Sequence, residues 1–188
     1  MNLVQIDLKV ILMPKIISNV NENILYEGKK MLMSKNYKSF NIRELAKICN
    51  ISVGTIYNNF STKEDLVNAI FLKDWKKSLK KIENVNDSFE TLKEKLYQVY
   101  IEMNNFVSTY ISIFYEISIV KKSHDCPRHL ESLFNVIKNI VIFERSKGTI
   151  TSNLNDDKIT TFILNNFLIL CKDDSISFED TYEFMNFK

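Results

Sequence analysis

The sequence predicts an all-α protein, and three observations carry that prediction. The 188 residues include only three Gly and two Pro, too few turn formers for a many-stranded sheet. No alternating Val/Thr-rich series marks out strands. Apolar residues recur instead at three- and four-residue spacing, in segments bounded by capping residues. At 45% hydrophobic residues, the chain can bury the core of one or two small domains.

Taken in order, the pattern gives nine helices. The first covers about 16–35, with Ile17, Val20, Ile24, Leu25, Met31 and Leu32 on one face. The second, about 42–48, is capped by Asn41 and carries Ile42, Leu45 and Ala46, with Cys49 continuing the same face. Asn50 falls where this helix stops, and Asn tolerates the left-handed conformation such a stop needs. The third, about 52–58, has Ser52 as cap and Val53, Ile56, Tyr57 and Phe60 at helical spacing. Thr62 caps the fourth, about 63–82, whose first turn holds Glu64 and Asp65. Residues Asn84 to Ser88 form a polar break and the expected domain boundary. Helices over about 88–104, 105–121, 127–146, 156–171 and 177–187 follow. Pro127 suits a first turn and Gly148 a stop, while Asn155 and Ser177 precede the last two helices.

Two short helices joined by a tight turn, with a third starting at once, form a helix-turn-helix, which offers its second helix to the DNA major groove. The charge distribution agrees. Net charge is only +2, but residues 1–80 sum to +6 and residues 81–188 to −4, so the basic excess shares a half with the motif.

The residues of this stretch resemble the DNA-binding segment of TetR/AcrR-type transcriptional regulators. The matching positions are Leu45-Ala46, Ile51-Ser52, Gly54-Thr55-Ile56-Tyr57, Phe60 and Lys63. The close resemblance covers about residues 15–75; beyond it only length and helical pattern agree. Asn50 stands where the family often has Gly. The organisation this implies is a possible arm or upstream-start extension at 1–13, a helix-turn-helix domain at 14–62, and a connecting helix at 63–82. A helical ligand-binding and dimerisation domain then covers 83–188.

The expected DNA-binding residues are Arg43, Val53, Gly54, Thr55, Tyr57, Asn58, Asn59 and Lys63. Tyr57 can donate its hydroxyl to a phosphate, and Lys63 adds its charge to a helix start. By resemblance both are backbone contacts. Val53, Thr55 and Asn58 suit the groove, since apolar groups touch thymine methyls and Asn reads adenine. Gly54 lets the backbone come close to DNA.

Residues 81–188 carry 15 Phe and Tyr. In the family this half encloses a small-molecule pocket and supplies the dimer interface. The pocket candidates are Tyr97, Tyr100, Phe106, Tyr110, Phe114 and Tyr115, and the dimer candidates are Phe162, Ile163, Phe167, Leu168, Phe178 and Phe184. The competing reading of both sets is ordinary core. The implied partners are double-stranded DNA with a palindromic operator, a small effector, and a second copy of the chain.

Other classes find little support. No apolar run reaches the roughly 18 residues of a membrane span. The opening lacks the basic start and small-residue cleavage site of a signal peptide. Three cysteines without framework spacing suit a reduced, cytoplasmic protein. There is no phosphate loop, nucleophile elbow or His-Glu-x-x-His pair, so no enzyme activity and no cofactor are expected. Both histidines lie in His124-Asp125-Cys126-Pro127-Arg128-His129, but with no familiar zinc spacing and no evident fourth ligand, no metal is expected.

Overall fold

The computed structural model describes residues 20–120, 127–173, 175–185 and 187, apart from the side chains of Phe114, 118–120 and 127–130. The helices are α1 Val20–Ser39, α2 Ile42–Ile48, α3 Val53–Asn59, α4 Lys63–Ile82, α5 Leu92–Val120, α6 Pro127–Ser146, α7 Asp156–Leu170 and α8 Phe178–Met185. A short 3₁₀ turn, Val85–Asp87, precedes α5. No strand occurs among the described residues.

Among the described residues there are eight α-helices where nine were expected. The segments predicted at 88–104 and 105–121 are one helix of 29 residues. Asn104-Asn105 looks like a break in the sequence, but Leu96, Val99, Met103, Tyr110 and Ile113 are all buried on either side of it. The continuous apolar face outweighs the weak helix propensity of two Asn residues, each costing only about 0.7 kcal/mol or less. At the other end of the chain, α1 breaks just past the expected stop near 35, and a last turn carries on to Ser39. Asn36 interrupts it with φ 64°, and its Oδ1 accepts the backbone N–H of Ser39 at 3.1 Å.

Contacts divide the described residues into two compact units that part between Ile70 and Phe71, so the division falls inside α4 rather than at the polar segment 84–88. The first unit buries Ile24, Leu32, Phe40, Leu45, Ile56, Leu66 and Ile70 together. Gly28 allows α1 to approach closely here. A Cβ added to it would lie 3.1 Å from Ile70 Cδ1 and 3.6 Å from Leu45 Cδ2.

The second unit is built on α5, α6 and α7, with Leu96, Val99, Leu133, Ile137, Ile140, Ile163 and Phe167 at its centre. One ion pair lies inside this core. Lys95 Nζ bonds Glu144 Oε1 at 2.7 Å, with both side chains almost wholly enclosed. Lys95 Nζ also sits 4.4 Å from the centre of the Phe143 ring. Burial pushes the Glu144 carboxyl up, but hydrogen bonds from Lys95 and Thr149 and the charges of Lys95 and Lys147 outweigh it, so it stays below its ordinary value. At the end of α6, Gly148 adopts φ 77°; its N–H reaches Arg145 O at 2.9 Å and that of Thr149 reaches Glu144 O at 3.0 Å. This paired closure is the left-handed stop that glycine favours. Arg145 then braces the following loop, donating to Asp156 Oδ1 at 2.8 Å and to the carbonyls of Ser152 and Leu154 at 2.7 and 2.5 Å.

Candidate nucleic-acid interface

The turn between α2 and α3 is closed at both ends by the residues the sequence supplies for it. Asn41 Oδ1 accepts the N–H groups of Arg43 and Glu44 at 2.8 and 3.3 Å, opening α2. Asn50 takes φ 54° at the end of α2. Its N–H bonds Lys47 O at 3.1 Å and that of Ile51 bonds Ala46 O at 3.0 Å, the same closure as at Gly148. Ser52 Oγ accepts the Thr55 N–H at 3.0 Å and opens α3. The two N-caps each contribute about 1 kcal/mol, and together with the stop at Asn50 they fix the crossing of two helices too short to persist alone.

Ile56 is the buried residue of α3 and anchors it to the unit, with Phe60 half-buried behind it. The opposite side holds the predicted DNA residues. Gly54, Tyr57, Asn58 and Asn59 are exposed, and Val53 and Thr55 are partly so. A Cβ added at Gly54 would meet only Ser52 Oγ, at 3.6 Å. Nothing in the described residues therefore requires glycine at this place. Two of the side chains are tied back: Thr55 Oγ1 pairs with Ser52 Oγ at 2.9 Å, and Asn59 Nδ2 donates to Thr55 O at 2.8 Å. Arg43 is exposed at the start of α2. Lys47, also exposed near the end of α2, is a basic residue that the sequence reading did not single out.

Lys63 is arranged differently. It opens α4, where Thr62 and Asp65 cap each other at 3.0 Å in both directions. Its ammonium points back to donate to Tyr37 O at 2.5 Å and lies 4.3 Å from the centre of the Tyr37 ring. The Tyr37 hydroxyl donates to Glu64 Oε1 at 2.7 Å. Burial and that carboxylate hold the phenol well above its ordinary pKa, so it stays a donor. Lys63 thus joins the start of α4 to the end of α1, a contact between residues 26 positions apart that periodicity cannot reveal.

The aromatic candidates of the second unit fall into two groups. Tyr100 stacks on Phe178 at 5.5 Å and lies 5.7 Å from Phe167, while Tyr97 lies edge-on to Phe178 at 5.0 Å. Phe106 packs against Trp75 at 4.8 Å and Tyr110 at 4.9 Å, and Tyr110 against Phe71 at 4.5 Å. The Tyr110 hydroxyl donates to Asp74. Tyr115 is exposed, and the Phe114 side chain lies outside the described residues.

Of the dimer candidates, Ile163, Phe167 and Phe178 are buried within the unit, Leu168 is half-buried, and Phe162 and Phe184 are exposed. The outward stripe of α7 holds Lys158, Thr161, Phe162, Asn165 and Ile169. His124 and Cys126 fall outside the described residues, as does the side chain of His129. Among the described residues there is no metal-holding cluster and no helix long and apolar enough to cross a membrane. Cys49 and Cys171 are free thiols, both held above their ordinary pKa by burial, Cys171 at about 11.

A capped helix-turn-helix with one buried and one open face on its second helix is the arrangement that DNA-binding domains of this class present to the major groove. Residues 24–70 match the sequence profile described as "Bacterial regulatory proteins, tetR family". That segment carries the family's signature, and it lies at the N-terminal side of an all-α fold. The fold is similar to that of the transcriptional regulator FadR from Bacillus subtilis, solved in complex with stearoyl-CoA. There the TM-score is 0.63 at 17% identity, over 84% of this chain and 90% of that one. Salmonella enterica GusR gives 0.61 at 18% identity, over 83% of each chain. The fatty acid degradation regulator FadR from Bacillus halodurans gives 0.61 at 15%, over 88% and 91%. Comparison with curated proteins finds no match.

Proposed function

We propose that this protein is a transcriptional regulator of the tetR type and acts as a repressor. Two copies bind a palindromic operator, and an apolar or amphipathic effector releases them. The observation that carries the DNA part is the open face of α3: Tyr57, Asn58 and Gly54 face solvent on a helix anchored by Ile56. In this reading α3 enters the major groove, and a dimer sets two such helices about one DNA turn apart. Tyr57 bonds a phosphate and fixes the register, Arg43 meets a phosphate or a base edge from α2, and Val53, Thr55, Asn58 and Asn59 face base edges. Lys63 reaches a phosphate only by sharing or exchanging its bond to Tyr37 O, so its contribution is partly to hold α4 in place.

The second unit contributes the dimer face and the effector site. The exposed Phe162 and Phe184, with half-buried Leu168, pair with a second copy, while Ile163, Phe167 and Phe178 support that surface from within. The effector enters among Tyr97, Tyr100, Phe106 and Tyr110. An apolar chain capped by a polar head suits rings that carry hydroxyl groups. The stearoyl-CoA bound by the Bacillus subtilis protein supports an effector of that kind. A ligand releases the operator only by its preference for the conformation that does not fit DNA.

A second reading has its own observation. Tyr100, Phe106 and Tyr110 already pack against neighbouring rings at 4.5–5.7 Å. An operator-binding dimer without small-molecule control accounts for this packing.

Fluorescence anisotropy separates the readings. The protein is titrated against DNA from upstream of its own gene and against a scrambled control, at two salt concentrations. Selective binding supports the operator reading; equal, strongly salt-dependent binding to both fragments contradicts it. Release of the upstream fragment by stearoyl-CoA favours effector control. Undisturbed binding across a library of amphipathic ligands favours the second reading.

A further inference from the structure

The recognition helix carries no charge. Val53–Asn59 contains neither an acidic nor a basic residue, and that restricts which base pairs it can read. In the major groove guanine shows two acceptors, N7 and O6, and its commonest specific partner is the doubled donor of Arg or the ammonium of Lys. Neither is present on α3. Adenine shows one acceptor and one donor, N7 and N6–H, which match the donor and acceptor of a single Asn amide. Thymine shows a methyl group, which apolar side chains touch.

Hydrogen bonds within the helix narrow the choice further. Thr55 shares its hydroxyl with Ser52, and Asn59 uses its Nδ2 on Thr55 O. Asn59 keeps Oδ1 and its second N–H, but the bond to Thr55 O holds its amide against the helix, so it is less free than Asn58 to align both with one base edge. Asn58 is exposed, and its amide has no partner among the described residues, so donor and acceptor are both available in one plane. Val53 is half-exposed in the first turn and presents two methyl groups without a polar atom.

We infer that the base pairs facing α3 are A·T, with adenine read by Asn58 and a thymine methyl by Val53. Guanine readout in each half-site then falls to Arg43, which lies on α2. This specificity rests on the operator-binding reading above and states the kind of DNA that reading requires.

The test starts from random-sequence duplex DNA, from which the purified full chain selects its preferred site. Every base pair of one half-site is then replaced in turn, and affinities are read by anisotropy for the natural protein and for Asn58→Ala. Replacing the A·T pair at one selected position by G·C should weaken the natural protein by about ten- to a hundredfold. Asn58→Ala should lose this discrimination, to within about threefold, while retaining its thermal melt because Asn58 is exposed. A second measurement leaves the protein untouched. Uracil in place of thymine removes only the methyl group, so it should weaken the natural protein several-fold and Val53→Ala hardly at all. Selection of a site with G·C pairs facing α3, or unchanged discrimination by Asn58→Ala, overturns the inference while leaving the operator reading intact. Failure to select any sequence overturns the operator reading itself.

Discussion

Gly54→Ala separates the needs of the fold from the needs of DNA at a single methyl group. Within the protein the change is permitted: the added Cβ meets only Ser52 Oγ, at an ordinary contact distance of 3.6 Å. Gly54 is also absent from the left-handed positions, which among the described residues are Asn36, Asn50 and Gly148. A glycine replaced by alanine at a compatible helical position gains about 0.4–1 kcal/mol, chiefly by restricting the unfolded chain. For a domain of 60–100 residues each kcal/mol raises the melting point by about 4–8 °C, so a rise of roughly 2–8 °C is expected in the melt of the first unit. On DNA the sign reverses. A methyl forced between two close surfaces costs about 1–3 kcal/mol, or roughly 5- to 150-fold in affinity. The assays are a thermal melt followed by circular dichroism and an anisotropy titration on the selected operator. A variant that melts higher and binds more weakly supports the argument. One that melts lower, or binds operator as tightly as the natural protein, refutes it.

Further expected outcomes follow from particular contacts. Lys95→Met leaves Glu144 buried without its partner and should cost about 3–5 kcal/mol, whereas Lys95→Met combined with Glu144→Leu should recover most of that loss; chemical denaturation of both variants checks this. Because the folded-state pKa of Glu144 is depressed, its stabilisation is complete above the ordinary Glu range and declines as pH falls through the depressed value. Denaturation curves between neutral and acid pH should show that decline, and the double variant should lack this part of it. Arg145→Ala removes a brace on the loop before α7 and should destabilise by about 1–3 kcal/mol, with faster amide exchange at Ser152 and Leu154. Asn50→Gly should stabilise the first unit by up to about 1 kcal/mol, since Gly adopts φ 54° more readily than Asn; a lower melting point would contradict it.

Local chemistry made much of the first unit legible. Asn41, Ser52 and Thr62 cap helices because their side-chain oxygens reach N–H groups only two or three residues away. Asn50 and Gly148 end helices because few residues accept positive φ. These interactions span a few residues, so spacing alone locates them. The open face of α3 follows in the same way from Ile56, whose burial turns Gly54, Tyr57 and Asn58 outward.

What the tertiary structure decided lies at long sequence separation. The continuity of α5 through Asn104-Asn105 depends on one buried face that includes Met103 and Tyr110. Which aromatics of α7 and α8 turn inward was also open, and Phe167 and Phe178 do so while Phe162 and Phe184 do not. Lysine is rarely enclosed, yet Lys95 is, because Glu144, 49 positions away, meets it in the core. Lys63 reads as a free phosphate ligand, yet its ammonium bonds Tyr37 O. Period and capping act between neighbours, and the sequence displays them directly. Charge pairing and the choice of buried face act between segments that meet only once the chain has folded.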